Sequence, residues 1–181
     1  MKLDKLFGSK AKADILKYLV FRRQGISIRA FESELQRSFP AIKKQIDQLE
    51  DAGVVEIKKD NSRWSIFLTE GLWMYIKNLM LYTLKCDLVS YFNEHDIMIK
   101  DHFRGKLFGT ELDMDLVLIY HQEAHEHLNK IKADIELVFS DYLIQFVQVW
   151  FMSSSDFDKR YRLADKFVLN MMRWAHRPIT T

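Results

Sequence analysis

The chain has 181 residues, of which 48% are hydrophobic and 29% are charged, and its net charge is +2. That length suits one ordinary domain or two small ones, and the composition is typical of a packed, water-soluble protein rather than a disordered one. Six glycines and two prolines leave little room for long linkers or many β-turns, so we expect a mostly helical architecture.

The sequence also argues against disulfide-bonded, zinc-cluster and membrane proteins. The single cysteine, Cys86, cannot form an internal disulfide or a cysteine cluster for zinc. No apolar run approaches the roughly 20 residues that a membrane span needs, and the N-terminal MKLDKLFGSK lacks the apolar core of a signal peptide. We therefore expect a cytoplasmic protein without a membrane partner.

Charge is distributed unevenly along the chain. Lys and Arg outnumber Asp and Glu in residues 1–80, whereas the acidic residues are in excess in residues 81–181. A basic first part joined to an acidic second part suggests a module that faces nucleic acid, attached to a module with another task.

Residues 1–70 predict three short helices followed by a β-hairpin. Ser9 begins the first segment with helical periodicity, and Ser27 and Ser38 can act as the N-caps of the second and third. The third helix, SFPAIKKQIDQLEDAG, places isoleucine and leucine at i, i+4 and i+7 along one buried face. The hairpin follows as VVEIKK and WSIFLT around the polar turn DNS. This order of elements is typical of a winged helix-turn-helix.

In such a fold the third helix enters the major groove of DNA, and the hairpin, or wing, reaches phosphates or the minor groove. The lysines of this segment fall where that geometry needs them. The alternative is a winged helix that binds a protein and carries these lysines as solvated surface. The candidate DNA-binding residues are Ser38, Ala41, Lys43, Lys44 and Gln45 on the third helix, and Lys58, Lys59, Asn61 and Arg63 on the hairpin.

Two segments carry a resemblance to a known family. LFGSKAKADILKYLV resembles the first helix of the ArsR-like winged-helix regulators, and AIKKQIDQLEDAGVVEIKK resembles their recognition helix and first wing strand. The resemblance covers about residues 5–70 and implies binding to double-stranded DNA. The cysteine and histidine cluster of the metal-sensing members is absent from the corresponding positions.

A long connecting helix is predicted for residues 71–94, GLWMYIKNLMLYTLKCDLVSYFNE. Its apolar and aromatic residues spread around most of the helix, so it must be buried on most sides. A homodimer interface explains this pattern, because winged-helix proteins often read two half-sites. The alternative is packing between the two modules of one chain.

The remaining sequence predicts a small α/β unit of strand, helix, strand and helix. The first strand is residues 116–120, and Asp113 and Asp115 precede it as a D-x-D motif. Carboxylates at i and i+2 of a strand project to the same face, where they repel each other unless a divalent cation such as Mg²⁺ lies between them. The second strand is expected within IQFVQVWFM, followed by a short helix capped by Ser153 or Ser154 and a last helix near residues 163–174.

This order resembles the minimal nucleotidyltransferase fold over about residues 98–175. In that family a strand ends in Gly-Ser, a loop leads to D-x-D-L at the next strand, a helix crosses over, and a third strand carries another acidic residue. DMDLVLIY and FVQVWFMSSSDF match the later parts of this pattern. The resemblance implies that Asp113 and Asp115 would hold Mg²⁺ and act in catalysis if the site were active.

Two departures from the family pattern argue against activity. The Gly-Ser has only Gly109-Thr110 or Gly105-Lys106 as candidates, and Gln148 stands where the third acidic residue is expected. A neutral amide cannot act as a general base or hold two cations as a carboxylate does. We therefore expect no catalytic residue, no metal ligand and no cofactor in this domain.

The sequence thus predicts an α+β protein with a winged helix-turn-helix domain at 1–70, a connecting helix at 71–94 and a nucleotidyltransferase-like domain at 95–181. The expected function is a dimeric, DNA-binding transcriptional regulator whose last domain serves sensing or assembly, with a nucleotide or a protein as its possible effector. The alternative is an active, Mg²⁺-dependent, antitoxin-like nucleotidyltransferase that modifies a protein or RNA partner.

Overall fold

The chain forms two units, Met1–Thr83 and Leu84–Thr181, in a computed structural model that describes residues 3–22, 25–60 and 63–175. The helix α5 belongs partly to each unit. The helices are α1 (Leu3–Leu6), α2 (Lys10–Arg22), α3 (Ile28–Leu35), α4 (Phe39–Asp51), α5 (Leu72–Glu94), α6 (Leu128–Ser140), α7 (Ser154–Arg162) and α8 (Lys166–Ala175). The strands are β1 (Val55–Asp60), β2 (Arg63–Leu68), β3 (Ile99–Arg104), β4 (Leu116–Tyr120) and β5 (Val149–Ser153).

Serine caps set the starts of the helices in the N-terminal unit. The Ser9 hydroxyl accepts a hydrogen bond from the Lys12 amide at 3.1 Å, and that of Ser27 accepts one from the Ala30 amide at 3.2 Å. These bonds satisfy amide groups that the first turn of a helix leaves without an intrahelical partner. The predicted cap at Ser27 is therefore confirmed, and the cap at Ser9 is a finding of the structure. Ser38 holds the N-cap position of α4 without a side-chain bond.

The N-terminal unit is a winged helix-turn-helix. β1 and β2 pair antiparallel from Val55 opposite Leu68 to Asp60 opposite Arg63. Ile26, in the chain before α3, forms an isolated antiparallel β-bridge with Ile66 of β2. The two hydrogen bonds of this bridge have nitrogen-to-oxygen distances of 3.3 and 2.9 Å. This β-bridge connects the start of α3 to the wing and fixes the position of the wing beside the helices.

The helices of this unit close over an apolar core. Phe31, Ile42 and Ile46 are fully buried, and so is Ile66 of the wing. Burial of each such side chain contributes about 1.5–3 kcal/mol. The first turns of α5 are fastened to the same unit, because the Trp73 indole N–H donates to the Val20 carbonyl of α2 at 3.0 Å.

The C-terminal unit is built on a three-stranded sheet in the order β3-β4-β5. β3 and β4 pair antiparallel, whereas β4 and β5 pair parallel. The parallel pair needs a crossover, and a 3₁₀ helix at Gln122–His127 followed by α6 provides it. Every residue of β4 from Leu116 to Ile119 is buried, as expected for a central strand covered on both faces. One apolar cluster on this sheet comprises Phe103, Leu112, Val117, Ile119, Met152, Val168 and Met171.

Three features of the C-terminal unit differ from the sequence-based expectation. The strand β3 is absent from that expectation, because only Ile99 and Phe103 of IKDHFR are apolar and an irregularity between Ile99 and Asp101 interrupts the period of two. The strand expected within IQFVQVWFM begins only at Val149, because Leu143 and Phe146 have φ angles of 58° and 59° that no strand adopts. The last helix begins at Lys166 rather than at 163, after Ala164 with φ 54°. Ser153, not Ser154, caps α7 through a 3.2 Å bond from the Asp156 amide.

The connecting helix α5 runs unbroken over the predicted segment. Its buried side chains include Met80, Leu84 and Leu88, whereas Tyr75 and Tyr82 are 74% and 51% exposed. Tyrosines seven residues apart lie on the same side of a helix. No helix in the described part of the chain is long and apolar enough to cross a membrane.

Candidate nucleic-acid interface

The helix α4 presents one face to the core and the opposite face to solvent. Ile42, Ile46 and Leu49 are buried, which holds the helix in one rotation about its own axis. Lys43 and Lys44 consequently lie exposed, together with Pro40 and Ala41 of the first turn. This is the orientation that a recognition helix needs in order to enter a major groove.

The two lysines of α4 differ in their surroundings. The Lys43 ammonium lies 2.7 and 2.9 Å from the two carboxylate oxygens of Asp47, one turn further along. Because this pair is exposed, it contributes only about 0.3–0.5 kcal/mol to stability and can be exchanged for another anion. Among the described residues, Lys44 has no ion-pair partner. Lys44 is thus immediately available to an anion, whereas Lys43 must first leave Asp47.

The wing carries two further exposed lysines. The Lys59 ammonium lies 5.5 Å from the ring centroid of Trp64, its partner across the hairpin. The Lys58 ammonium lies 5.5 Å from the centroid of Phe67 and 3.3 Å from a carboxylate oxygen of Glu56. A cation held over an aromatic ring has a preferred direction while its charge stays accessible. The wing therefore presents positive charge beside an exposed indole.

One cleft of about 990 Å³ joins α3, α4 and the wing. Arg29 and Lys43 supply its positive charge and Glu50 supplies negative charge. Trp64, at 55% exposure, and Phe39, at 39%, are large apolar side chains that it leaves open to solvent. The full lining is Ser27, Ile28, Arg29, Phe39, Lys43, Glu50, Ile57, Trp64 and Ser65. The sequence analysis did not select Arg29, Phe39 or Trp64. The one signal for Trp64 in the sequence is that a tryptophan follows closely after the polar turn of the hairpin.

Some candidate residues stand elsewhere than expected. Gln45 is half-buried, and its amide oxygen accepts a 3.0 Å hydrogen bond from the Ser9 hydroxyl at the start of α2. Gln45 therefore lies at the edge of the exposed face of α4, with its side chain engaged by α2. Ser38 is exposed at the start of α4. Asn61 and the side chain of Arg63 lie outside the described residues.

The D-x-D segment lies before β4 rather than in it. The chain bends at residues 113–115, and the two carboxylates have unlike environments, since Asp113 is exposed and Asp115 is 9% exposed. One side-chain oxygen of Asp115 accepts a 3.0 Å hydrogen bond from the backbone N–H of Gln148. In return, the backbone N–H of Asp115 donates to the backbone carbonyl of Gln148 at 3.0 Å. The expectation that both aspartates project to one face of a strand is wrong, because the strand begins only at Leu116.

The glycine that ends β3 is Gly105. Its amide donates to the Asp115 carbonyl at 2.8 Å, and a Cβ atom at this position would lie 1.7 Å from the Met114 carbonyl oxygen. Only glycine permits that approach of the two backbones. The family pattern has its Gly-Ser at the end of a strand. Of the two candidates here, Gly105-Lys106 directly follows a strand, because β3 ends at Arg104. Gly109 follows a short 3₁₀ helix, Lys106–Phe108.

Lys106 and Gln148 contact each other beside this loop. The Lys106 ammonium donates to the Gln148 side-chain oxygen at 3.1 Å. A cation thus approaches the position where the family pattern has an acidic residue. Within the described residues, no three His, Cys, Asp or Glu side chains gather as metal ligands would.

A small pocket of about 260 Å³ lies next to Asp113. The rings of Trp150 and Phe167 form part of its wall, with centroids 4.7 Å apart, and Asn170 adds an amide. Aromatic walls with a few polar groups are typical of small-molecule sites, although this pocket is smaller than most of them.

Burial shifts the pKa of three groups in the C-terminal unit. It lowers the pKa of His102, which lies in β3 with its ring centroid 4.4 Å from that of Phe92, and it lowers the pKa of Arg104. Burial also raises the pKa of Tyr91 to about 12, helped by the carboxylate of Asp134, which accepts its hydroxyl at 3.2 Å. Each shift follows from desolvation of the charged form. None of these groups lines the wing cleft or the pocket next to Asp113.

No protein-family profile and no curated protein matches the sequence. Among solved structures, MepR, a transcription regulator of the Staphylococcus aureus multidrug efflux pump MepA, is 17% identical, with a TM-score of 0.44 over 76% of this chain and 82% of that one. A mutant of Lactococcus lactis ZitR is 15% identical, with a TM-score of 0.42 over 72% of this chain and 75% of that one. Likenesses of this size assign no family. The winged-helix description rests on the elements of the chain itself.

Proposed function

We propose that this protein is a DNA-binding transcriptional regulator. The observation that carries the proposal is the shared cleft, in which the exposed face of α4, the start of α3 and the wing meet with Arg29 and Lys43 at the surface. Lys44, Lys58 and Lys59 add positive charge on α4 and the wing. A recognition helix beside a basic wing is the arrangement by which a winged helix contacts bases and phosphates together.

The acidic residues of the same surface limit how strong the binding can be. Asp47 and Glu56 each hold one of the lysines, and Glu50 lines the cleft. A phosphate must displace the first two carboxylates and tolerate the third. We therefore expect weak binding to random DNA and a larger gain on a specific sequence, because base contacts can compensate for a modest electrostatic attraction.

The test of this function is selection of duplexes from a randomised DNA library with the full-length protein, followed by fluorescence anisotropy on the enriched duplex. We expect an enriched sequence that binds at least a thousandfold more tightly than a scrambled duplex of the same length. The same titration at several salt concentrations gives the number of phosphates contacted. Absence of any enriched duplex, together with a protein partner that copurifies, would favour the winged helix as a protein-binding module.

We further propose that the regulator is a homodimer formed through α5. Tyr75 and Tyr82 form an exposed aromatic stripe on this helix, and Met74 beside them is 39% exposed. Two recognition helices held by one dimer read two half-sites of an operator. A self-complementary helix face is the simplest way to reach such twofold symmetry.

Replacing Tyr75 and Tyr82 together by glutamate is expected to raise the dimer dissociation constant by about tenfold or more. Four like charges would then meet in an interface that now buries aromatic rings. Sedimentation velocity over a range of protein concentrations measures the change. Tyr161→Glu is the matched control, since Tyr161 lies in α7 with 52% exposure. An unchanged sedimentation profile for the double variant would remove α5 from the interface.

We propose that the C-terminal unit is nucleotidyltransferase-like in its fold and serves sensing or assembly without catalysis. Its element order and the position of Gly105 at the end of β3 support the likeness. Two contacts support the absence of catalysis. The backbone N–H of Gln148 donates to the Asp115 carboxylate, and the Lys106 ammonium donates to the Gln148 side-chain oxygen. A buried carboxylate that holds the backbone of a neighbouring segment is committed to structure.

A further inference from the structure

The first turn of α4 exposes only apolar side chains to the cleft and to solvent. Phe39 lines the cleft and is 39% exposed, and Pro40 and Ala41 are exposed beside it. The N-terminal residues of a recognition helix are those that reach base edges in the major groove. Between the Ser38 hydroxyl at the N-cap and Lys43 one turn later, this turn offers no side-chain hydrogen-bonding group to those edges.

The only apolar group that a standard base pair presents in the major groove is the C5-methyl group of thymine. 5-Methylcytosine presents the same group at the same place. We propose that Phe39 selects C5-methylated pyrimidines in the operator, with thymine as the base that supplies the methyl group. This inference rests on the proposed DNA-binding function and names the chemistry that the recognition helix reads.

The surroundings of the turn favour base contact over phosphate contact. The Phe39 amide already donates to a carboxylate oxygen of Glu32 at 3.1 Å, so the start of α4 carries a negative group of its own. That carboxylate disfavours a phosphate at the helix start, where one would otherwise bind. Arg29 and Lys43 of the cleft, and Lys44 beside it, leave positive charge on either side of the apolar turn. Charge of this sign suits a duplex better than an apolar peptide as the occupant.

The enriched duplex from the library selection is the probe. It is resynthesised with each thymine replaced in turn by deoxyuridine, which keeps the base pair and removes the methyl group. At one or two positions of each half-site we expect about a fourfold loss of affinity per methyl group, the size of burying one such group. At those positions, a 5-methylcytosine pair is expected to bind more tightly than an unmodified cytosine pair.

Variants of Phe39 assign the methyl contact to this side chain. Phe39→Ala is expected to bind the thymine and deoxyuridine duplexes equally, whereas Phe39→Leu keeps part of the preference. Lys59→Ala is the matched control and is expected to weaken both duplexes by the same factor, because a phosphate contact carries no information about a methyl group. Circular dichroism of each variant checks that it is folded.

The outcomes separate this inference from the function beneath it. An enriched duplex whose thymines can all be replaced without loss overturns the methyl-reading inference alone. A deoxyuridine effect that persists unchanged in Phe39→Ala and Phe39→Leu overturns the assignment to this turn. A library without any enriched duplex overturns the proposed regulator and this inference with it. If Phe39→Ala does not fold, the comparison of the wild type with Phe39→Leu decides.

Discussion

Replacing Lys43 and Lys44 together by alanine is expected to weaken binding to the selected duplex by about tenfold to a hundredfold without unfolding the protein. Both side chains are exposed on α4, and within the described residues the double variant removes one ion pair, that of Lys43 with Asp47. An exposed i,i+4 pair of this kind contributes well under 1 kcal/mol. Each lysine that meets the duplex, by contrast, contributes on the order of 1 kcal/mol or more.

The salt dependence of binding tells how the two lysines act. Each phosphate contact that is removed reduces the slope of log K against log salt by about one. A reduction of about two means that Lys43 leaves Asp47 to meet a phosphate, whereas a reduction of about one assigns the contact to Lys44 alone. Lys130→Ala with Lys132→Ala removes the same charge from exposed positions of α6 and serves as control. Unchanged affinity and slope in the Lys43 and Lys44 variant would exclude α4 as the recognition helix.

The N-terminal unit could be predicted closely because its signals are local. The cap at Ser27 acts over three residues, and the stripe of Ile42, Ile46 and Leu49 repeats within one helix. Such signals are written in consecutive residues and survive without knowledge of tertiary contacts. The β-bridge between Ile26 and Ile66 could not be predicted in this way, because the two residues are far apart in the sequence.

The side-chain partners could not be predicted for the same reason. Gln45 meets Ser9, which is 36 positions away, and Asp115 meets the Gln148 backbone, which is 33 positions away. A helical wheel places Gln45 at the edge of the buried face but does not say which neighbour it meets. For the D-x-D motif, the spacing suggested two equivalent carboxylates, whereas the bend before β4 makes one of them buried and the other exposed.

Strand boundaries in the C-terminal unit were set by backbone conformation rather than by propensity. The apolar, β-branched run before Val149 has high strand propensity, yet Leu143 and Phe146 adopt the left-handed region and interrupt it. Phe146 is also 94% exposed, which its residue type alone does not predict. Conversely, β3 carries four charged or polar residues out of six and pairs with β4 all the same. Only in β3 does tertiary pairing override propensity.

Substitution of the two aspartates of the D-x-D motif is expected to change the stability of the C-terminal unit unequally. Asp115→Ala is expected to destabilise the C-terminal unit by about 1–3 kcal/mol, because the amide of Gln148 loses its buried acceptor. For a unit of about 100 residues this corresponds to a decrease of several degrees in the unfolding temperature. Asp113→Ala is the matched control, and since Asp113 is exposed, we expect a change within about 0.5 kcal/mol. Differential scanning calorimetry measures both variants.

The same two variants distinguish a structural pair from a metal site. If Asp115 and Asp113 bound Mg²⁺ together, Mg²⁺ would raise the unfolding temperature of the wild type and of neither variant, because a ligand stabilises only the state that binds it. We expect Mg²⁺ to leave all three proteins unchanged, and no transfer of label from a radiolabelled nucleoside triphosphate to any protein or RNA in a lysate. Transfer that disappears in both Asp113→Asn and Asp115→Asn would instead establish an active nucleotidyltransferase. Gln148 would then have to be reinterpreted, since its backbone amide would be holding a catalytic carboxylate in place rather than substituting for one.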